Sequence, residues 1–265
     1  MSPGAPVVLV HGLGVDHRMW ALQVPFLQDL GPLWAPDLPG FGETPPAPPG
    51  RCGVSAYADL VAAGIRERYR EPVRLAGYSM GGTIALLVAL RHPELVGALG
   101  VCCSSPCWGR GLRRWAALAF ARIGRRGAME VFQLSVLWAF SRYSRDPEAA
   151  AVVRDMVRRA HRPTMLRLYT DLARTDLRGS LGAVRAPTLA VAGTRDWLAP
   201  PSHARILVRE VPAAELELVR GADHMLCMAR PGELGEALRG FFLRAGRRAR
   251  QAVGEPPPAP EEEAR

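Results

Sequence analysis

Residues 73–82 read VRLAGYSMGG, and a helical pattern runs on from Gly81 to His92, where Pro93 stops it. VRLAGYS is a compact apolar run of strand type, so the chain is expected to turn at Ser79 from a buried strand straight into a helix. Gly77 and Gly81 stand two residues to either side of that serine, where a tight turn brings backbone too close for side chains. The Ser79 hydroxyl is thereby held out above the sheet, over the positive end of the next helix.

The strand-then-helix rhythm extends in both directions. Upstream, PVVLV (6–10) reads as a buried parallel strand ending in His11-Gly12, followed by a helix from about Asp16 to Leu30 and a short strand at 33–35. DLPGFGETPPAPPG (37–50) is loop, because its prolines and glycines forbid regular structure, and Ser55 is the expected N-cap of a helix carrying Leu60, Ala63 and Ile65. Downstream the pattern gives strands at 95–103, 187–193 and 215–219, a helix near 202–210 and a last helix from about Gly232 to Arg244. Between Pro106 and Leu181 the patterns are all helical, among them Leu112, Trp115, Ala116 and Ala119 at i, i+3, i+4, i+7 and an apolar stretch from Met129 to Phe140. The expected fold class is α/β, a mostly parallel sheet of about six strands flanked by helices. Residues 1–105 and 183–246 are its core, 106–182 an inserted helical cap, and the proline-rich, charged 247–265 a disordered tail.

Composition narrows the function classes. The chain has 265 residues with 48% hydrophobic and 22% charged content, enough for a sizeable core and unlike a disordered protein. No apolar run approaches the roughly 18 residues of a membrane span, and no basic n-region precedes the first apolar stretch. Five cysteines, an odd number, argue against a disulfide framework and for a reducing compartment, the cytoplasm. Cys102, Cys103 and Cys107 lack paired C-x-x-C spacing and read as small buried hydrophobes rather than zinc ligands. All 34 basic residues are arginine, and residues 109–182 hold 15 of them against 6 acids, so this one segment carries the whole net charge of +9.

A serine hydroxyl is a poor nucleophile at neutral pH, so a base must take its proton and a third group must orient the base. His224, in GADHML beyond the last strand, lies where ligands and catalysts of open α/β sheets collect. His17, His92, His161 and His203 lie on expected helices or in the cap and read as surface or packing groups. Asp196, in GTRDWLAP after the 187–193 strand, is the well-placed acid, whereas the preceding strand ends in CCSS. Asp223 competes, but a sequence neighbour rarely reaches the far ring nitrogen of His224. The oxyanion donors expected are the backbone N–H of Met80, at a helix N-terminus, and of Leu13, in the glycine-rich turn HGLG. No metal or organic cofactor is needed for such chemistry.

HGLG, DLPGFGET, GYSMGG, GTRDWLAP and GADHML, in this order, resemble the α/β-hydrolase superfamily over roughly residues 5–245. The resemblance implies that Ser79, Asp196 and His224 form a triad and that the cap covers the acyl pocket. It also implies an N-terminal β-hairpin that this sequence lacks, so the sheet has six strands or the true start lies upstream. Haloalkane dehalogenases and epoxide hydrolases of this fold carry Asp where this chain has Ser79, which excludes both chemistries. The menaquinone-pathway lyases follow GYS-x-GG with Arg where this chain has Thr83, which weakens that reading.

The arginine-rich cap has two readings, a solvated charged face or a docking surface for an anionic partner. Arg154, Arg158 and Arg162 follow i, i+4, i+8, and Trp115, Phe132, Leu137 and Trp138 are candidate acyl-chain contacts. Together these are similar to the pimeloyl-carrier-protein methyl ester carboxylesterases, which implies an acidic acyl carrier protein as partner. No recognised nucleic-acid reading motif is present. The sequence thus predicts a hydrolase of small-molecule carboxylic esters or thioesters. An enol-lactonase, C–C hydrolase or lyase using the same groups is the alternative, and a non-catalytic ligand-binding relative is the third reading.

Overall fold

The computed structural model describes residues 4–109 and 147–252 and, between them, residues 127, 130, 134 and 137. Its centre is a parallel sheet in the order β2-β1-β3-β4-β5-β6. The strands are β1 (Val7–Val10), β2 (Leu33–Trp34), β3 (Val73–Tyr78), β4 (Val96–Cys102), β5 (Thr188–Gly193) and β6 (Ala214–Val219). Every neighbouring pair is parallel, as strands joined through helices must be when both faces are covered. The helices are α1 (Val24–Leu27), α2 (Val54–Arg68), α3 (Met80–Arg91), α4 (Pro147–Arg159), α5 (Arg162–Arg174), α6 (Pro201–Glu210), α7 (Leu226–Ala229) and α8 (Pro231–Ala252).

The two-residue period of the strands sorts their side chains into two cores. Val8, Val10, Leu75, Leu99, Val101, Ala190 and Ala192 join the α2 and α3 side chains on one face. Val7, Leu9, Ala76, Tyr78, Ala98, Leu189 and Val191 join Leu27, Leu238, Phe241 and Phe242 on the other. A strand buried on both faces must be apolar at every position, which is why VVLV and the surrounding runs do not alternate. Arg74 is the charged exception: the residue is 1% exposed, and its guanidinium donates to the carbonyls of Ala5 and Leu30 and ties the start of the chain to the end of the first crossover.

Several expected boundaries shift, each for a local reason. The helix expected over 16–30 is a 3-10 turn at His17–Trp20 followed by α1, because Pro25 has no N–H to continue a helix through that point. Ser55 is not the cap of α2; Gly53 holds that place, and the Val54 N–H is taken by the Asp171 carboxylate of α5 at 2.8 Å. The last helix does not stop at Arg244 but runs to Ala252, so residues 247–252 belong to it rather than to a tail. Arg244, at the expected end, and Arg248, on the extension, both reach Glu215 of β6, at 2.8 and 3.0 Å.

Between β4 and β5 the sheet is continuous, so the segment joining them is an excursion from it. Its two ends meet in an isolated antiparallel bridge between Cys107 and Asp176, and the Leu177 N–H bonds the Pro106 carbonyl at 2.8 Å. The arginine stripe expected on one helix is split, since α4 ends at Arg159 and Arg162 opens α5, where it pairs with Glu130 at 2.8 Å. Trp115, Phe132 and Trp138 lie outside the described residues, while Leu137 is half-buried and packs on the α8 side of the sheet. Because α5 supplies the cap of α2 from a distant part of the chain, Asp171→Ala is expected to cost about 1 kcal/mol in urea-induced unfolding, within the usual range for a lost N-cap. An unchanged midpoint would show that water replaces the carboxylate without loss.

Candidate active site

The connection from β1 to β2 leaves the sheet on one side and the later strands continue on the other, so the order reverses at β1/β3. In open parallel sheets such a switch point opens a crevice at the carboxyl ends of the strands. Ser79 sits at that end of β3 and His11-Gly12 at that end of β1. A Cβ placed on Gly12 would lie 3.5 Å from the Ser79 Cβ, so the turn carrying Leu13 lies against the serine.

Ser79 has φ 53° and ψ −117°, a conformation that costs a non-glycine residue about 1–3 kcal/mol. Packing holds it there. Chain reversal into α3 leaves so little room that a Cβ on Gly77 would stand 2.1 Å from the Gly81 carbonyl oxygen, and one on Gly81 would stand 2.1 Å from that of Val10. The turn also places Met80 first in α3, where its N–H has no intrahelical acceptor and is free to bind an oxygen at the mouth of the crevice.

Two further loops converge on the serine. The His224 Nε2 lies 3.0 Å from the Ser79 Oγ, and its Nδ1 lies 2.8 Å from Asp196 Oδ2. The other carboxylate oxygen of Asp196 accepts the N–H groups of Leu198 (2.9 Å) and Ala199 (2.8 Å), which leaves Oδ2 for the imidazole. With an ionised acid accepting at Nδ1–H, the ring presents Nε2 as acceptor to the serine O–H. Asp223 caps its own turn through the Met225 N–H at 2.9 Å, so the competing carboxylate is committed elsewhere.

The loops after β5 and β6 are zipped together beneath this row. The Thr194 N–H bonds the Val219 carbonyl at 3.0 Å, Arg195 N–H that of Ala222 at 2.8 Å, and Gly221 N–H the Thr194 hydroxyl at 2.8 Å. A Cβ on Gly193 would come within 2.3 Å of the Ala222 carbonyl oxygen, so the close approach of the Asp196 loop to the His224 loop requires glycine there.

Two residues of the site escaped the sequence reading. Tyr78, one residue before the serine, points into the opposite core and donates its hydroxyl to the His224 carbonyl at 2.7 Å. Its ring stands edge-on to that of His224, with centroids 5.9 Å apart. A tyrosine as the one aromatic residue of its strand is the signal the sequence offers for it. His11 is the other: fully buried, it donates from Nδ1 to the Gly12 carbonyl (2.8 Å) and accepts the Leu38 N–H at Nε2 (3.0 Å). It thereby fastens the turn after β1 to the 37–50 loop.

The thiols around Tyr78 are buried and held protonated: burial pushes Cys227 up to about 12 and raises Cys102 and Cys103 as well. His17, expected on the surface, lies there and pairs with Asp37 at 2.8 Å. Asp16, His17 and Asp37 bring metal-ligand atoms within 4.8 Å of one another, but Arg18 covers Asp16 at 2.6 Å and His17 covers Asp37. The atoms of that set are engaged with one another and with Arg18.

A family profile described as the alpha/beta hydrolase fold matches residues 5–231. The chain belongs to the α/β-hydrolase family. This hydrolase is 28% identical over 249 residues to a pimeloyl-[acyl-carrier protein] methyl ester esterase of Aeromonas hydrophila, covering 90% of this chain and 95% of that one. It is 30% identical to the protein of the same name from Neisseria meningitidis serogroup C over 82% of this chain and 86% of the relative. Among solved structures it superimposes on a thermophilic esterase from Thermogutta terrifontis with a TM-score of 0.79 at 26% identity, covering 93% and 92% of the two chains. No helix among the described residues is long and apolar enough to cross a membrane.

Burial holds the His11 imidazole below its ordinary value of 6.5, so the folded hydrolase keeps it neutral. The unfolded chain takes up a proton there as pH falls below about 6.5 and the folded chain does not, so unfolding free energy declines with falling pH over that window. His11→Gln is expected to flatten this part of the profile in urea titrations at successive pH values. An identical slope in the variant would mean that the imidazolium is accommodated inside.

Proposed function

We propose that the hydrolase cleaves carboxylic esters or thioesters through an acyl-enzyme, with Ser79 as nucleophile, His224 as general base and acid, and Asp196 as the group that orients and stabilises the imidazole. The observation that carries this reading is the hydrogen-bonded row Ser79 Oγ to His224 Nε2 to Asp196, at 3.0 and 2.8 Å. As the Ser79 Oγ forms its bond to the acyl carbon, its proton passes to His224 Nε2; the carbonyl π electrons move onto oxygen, which the N–H groups of Leu13 and Met80 receive. The tetrahedral adduct then expels the alcohol or thiol, which leaves with the proton from His224. A water repeats the sequence on the acyl-enzyme and regenerates Ser79. No metal or organic cofactor enters these steps.

The segment of residues 106–182 is proposed as a cap over the acyl pocket, with Trp115, Phe132, Leu137 and Trp138 contacting the acyl chain. Its arginines would meet an anionic, carrier-linked substrate. Arg154 and Arg158, exposed on one face of α4 and without an ion pair among the described residues, support that orientation. So do the names of the Aeromonas and Neisseria relatives. The five cysteines are all free, which fits a cytoplasmic enzyme. A lyase reading gains nothing from Thr83, which is fully buried, donates to the Ser105 carbonyl and offers no cation to a substrate.

A fluorophosphonate probe is expected to label the wild-type protein at Ser79, and Ser79→Ala is expected to lose labelling together with roughly 10⁴-fold or more of its p-nitrophenyl ester hydrolysis. Labelling that survives in the variant would assign the nucleophile elsewhere. For the carrier, raising salt from 0.05 to 0.5 M is expected to raise KM for an acyl-carrier-protein-linked ester several-fold while leaving that for a small neutral ester nearly constant. Equal shifts for both substrates would discard the docking surface.

A further inference from the structure

We propose that Ser104 is a positioning residue for the oxyanion donor of Met80, acting through the Ser79–Met80 peptide; this rests on the hydrolase reading above. Ser104 lies just past β4, and its hydroxyl donates to the carbonyl oxygen of Ser79 at 2.6 Å, at the short end for O–H···O bonds. That carbonyl and the Met80 N–H are the two ends of one planar trans peptide unit, so fixing the direction of the first fixes the direction of the second. The helix alone would grip the carbonyl only through the N–H groups of Gly82 at 3.0 Å and Thr83 at 3.4 Å, both from the same turn. Ser104 adds a third donor from outside α3, locking the peptide against rotation. A donor on the carbonyl also polarises the peptide and strengthens its N–H toward a developing oxyanion.

Ser104 is itself held from two sides. A Cβ on Gly82 would lie 2.5 Å from the Ser104 Cβ and 2.6 Å from its Oγ, so the last glycine of GYSMGG is the space this hydroxyl occupies. Proton accounting then fixes the network. Thr83 Oγ1 receives the Trp108 ring N–H at 2.8 Å and spends its own hydrogen on the Ser105 carbonyl at 3.0 Å. The Ser104 hydrogen is spent on Ser79, so the 3.4 Å approach of the Ser104 and Thr83 oxygens has no proton between them and is a contact only. Trp108 belongs to the stretch that leaves the sheet after β4, and its bond to Thr83 pins the 104–108 loop to the first turn of α3.

The test is steady-state hydrolysis of p-nitrophenyl butyrate by wild type, Ser104→Ala and Ser104→Cys, with inhibition by an alkyl trifluoromethyl ketone, whose serine adduct places an oxyanion in the same hole. Losing an oxyanion donor outright costs about 10² to 10³ in kcat, so loosening one is expected to cost about tenfold. Ser104→Ala should show that loss with KM within about twofold of wild type, an unmoved pH midpoint of kcat/KM and trifluoromethyl ketone affinity lowered by the same factor. Ser104→Cys, nearly the same size with a weak S–H donor, should fall between the two and decides the question alone if the alanine variant does not fold. Wild-type kcat in either folded variant, or a loss carried by KM with ketone affinity unchanged, would overturn the role of Ser104. A wild-type protein that neither hydrolyses esters nor accepts a fluorophosphonate would instead remove the hydrolase reading on which it stands.

Discussion

The backbone at Ser79 is held where a side-chain-bearing residue does not rest willingly, and the site is organised around that strain. The left-handed φ of 53° is maintained by close contacts on each side, with Gly77 against Gly81 and Gly81 against the Val10 carbonyl. One turn thereby does three things at once. It ends a buried strand, presents the serine hydroxyl at the carboxyl end of the sheet, and starts a helix whose first N–H groups lack acceptors. The strain resides in the backbone, so the rest of the fold has to be stable enough to hold it; the doubly covered parallel sheet supplies that stability through two apolar cores.

Assembling the remaining groups is a matter of loop geometry at one rim of the sheet. The turn after β1 is fastened by the neutral, buried His11, and the loops after β5 and β6 are fastened to each other by backbone bonds and the close approach at Gly193. Tyr78 then links the strand that leads into Ser79 to the carbonyl of His224 from below. The imidazole is therefore constrained from three directions: by Asp196 at Nδ1, by Ser79 at Nε2 and by Tyr78 through its own main chain. Such supporting contacts decide whether a row of hydrogen bonds is held or merely passes through the right geometry.

The excursion between β4 and β5 is joined to the core by specific polar contacts as well as by packing. Arg18, beside the turn after β1, reaches Asp155 of α4 at 2.9 Å; the His161 N–H reaches the Gly40 carbonyl at 2.8 Å; Asp171 of α5 caps α2. These contacts tie α4 to the 3-10 turn that follows β1, the junction of α4 and α5 to the DLPGFG segment, and α5 to the start of α2. The arginines of α4 and α5 divide into those committed to internal acids, such as Arg159 with Asp155, and those such as Arg154 and Arg158 left facing solvent. Net charge read from the sequence cannot make that division, because pairing depends on which acids the fold brings near.

The parallel α/β sheet, the strand-to-helix turn at Ser79 and the hydrogen-bonded row of Ser79, His224 and Asp196 were legible in the sequence, because each is encoded locally: apolar strands of a given period, glycines at fixed offsets from a serine, an acid and a histidine directly after strand ends. Boundaries were less so. The helix expected over 16–30 is broken by the missing N–H of Pro25, and the last helix outruns Arg244 because Arg244 and Arg248 find Glu215 on a neighbouring strand. What tertiary structure alone decided is the support around the row: Tyr78 under His224, Asp171 in place of Ser55 as the cap of α2, Gly82 making room for Ser104. Each of these joins residues far apart in the chain, and a contact across such a distance leaves no periodicity or spacing from which it could be read.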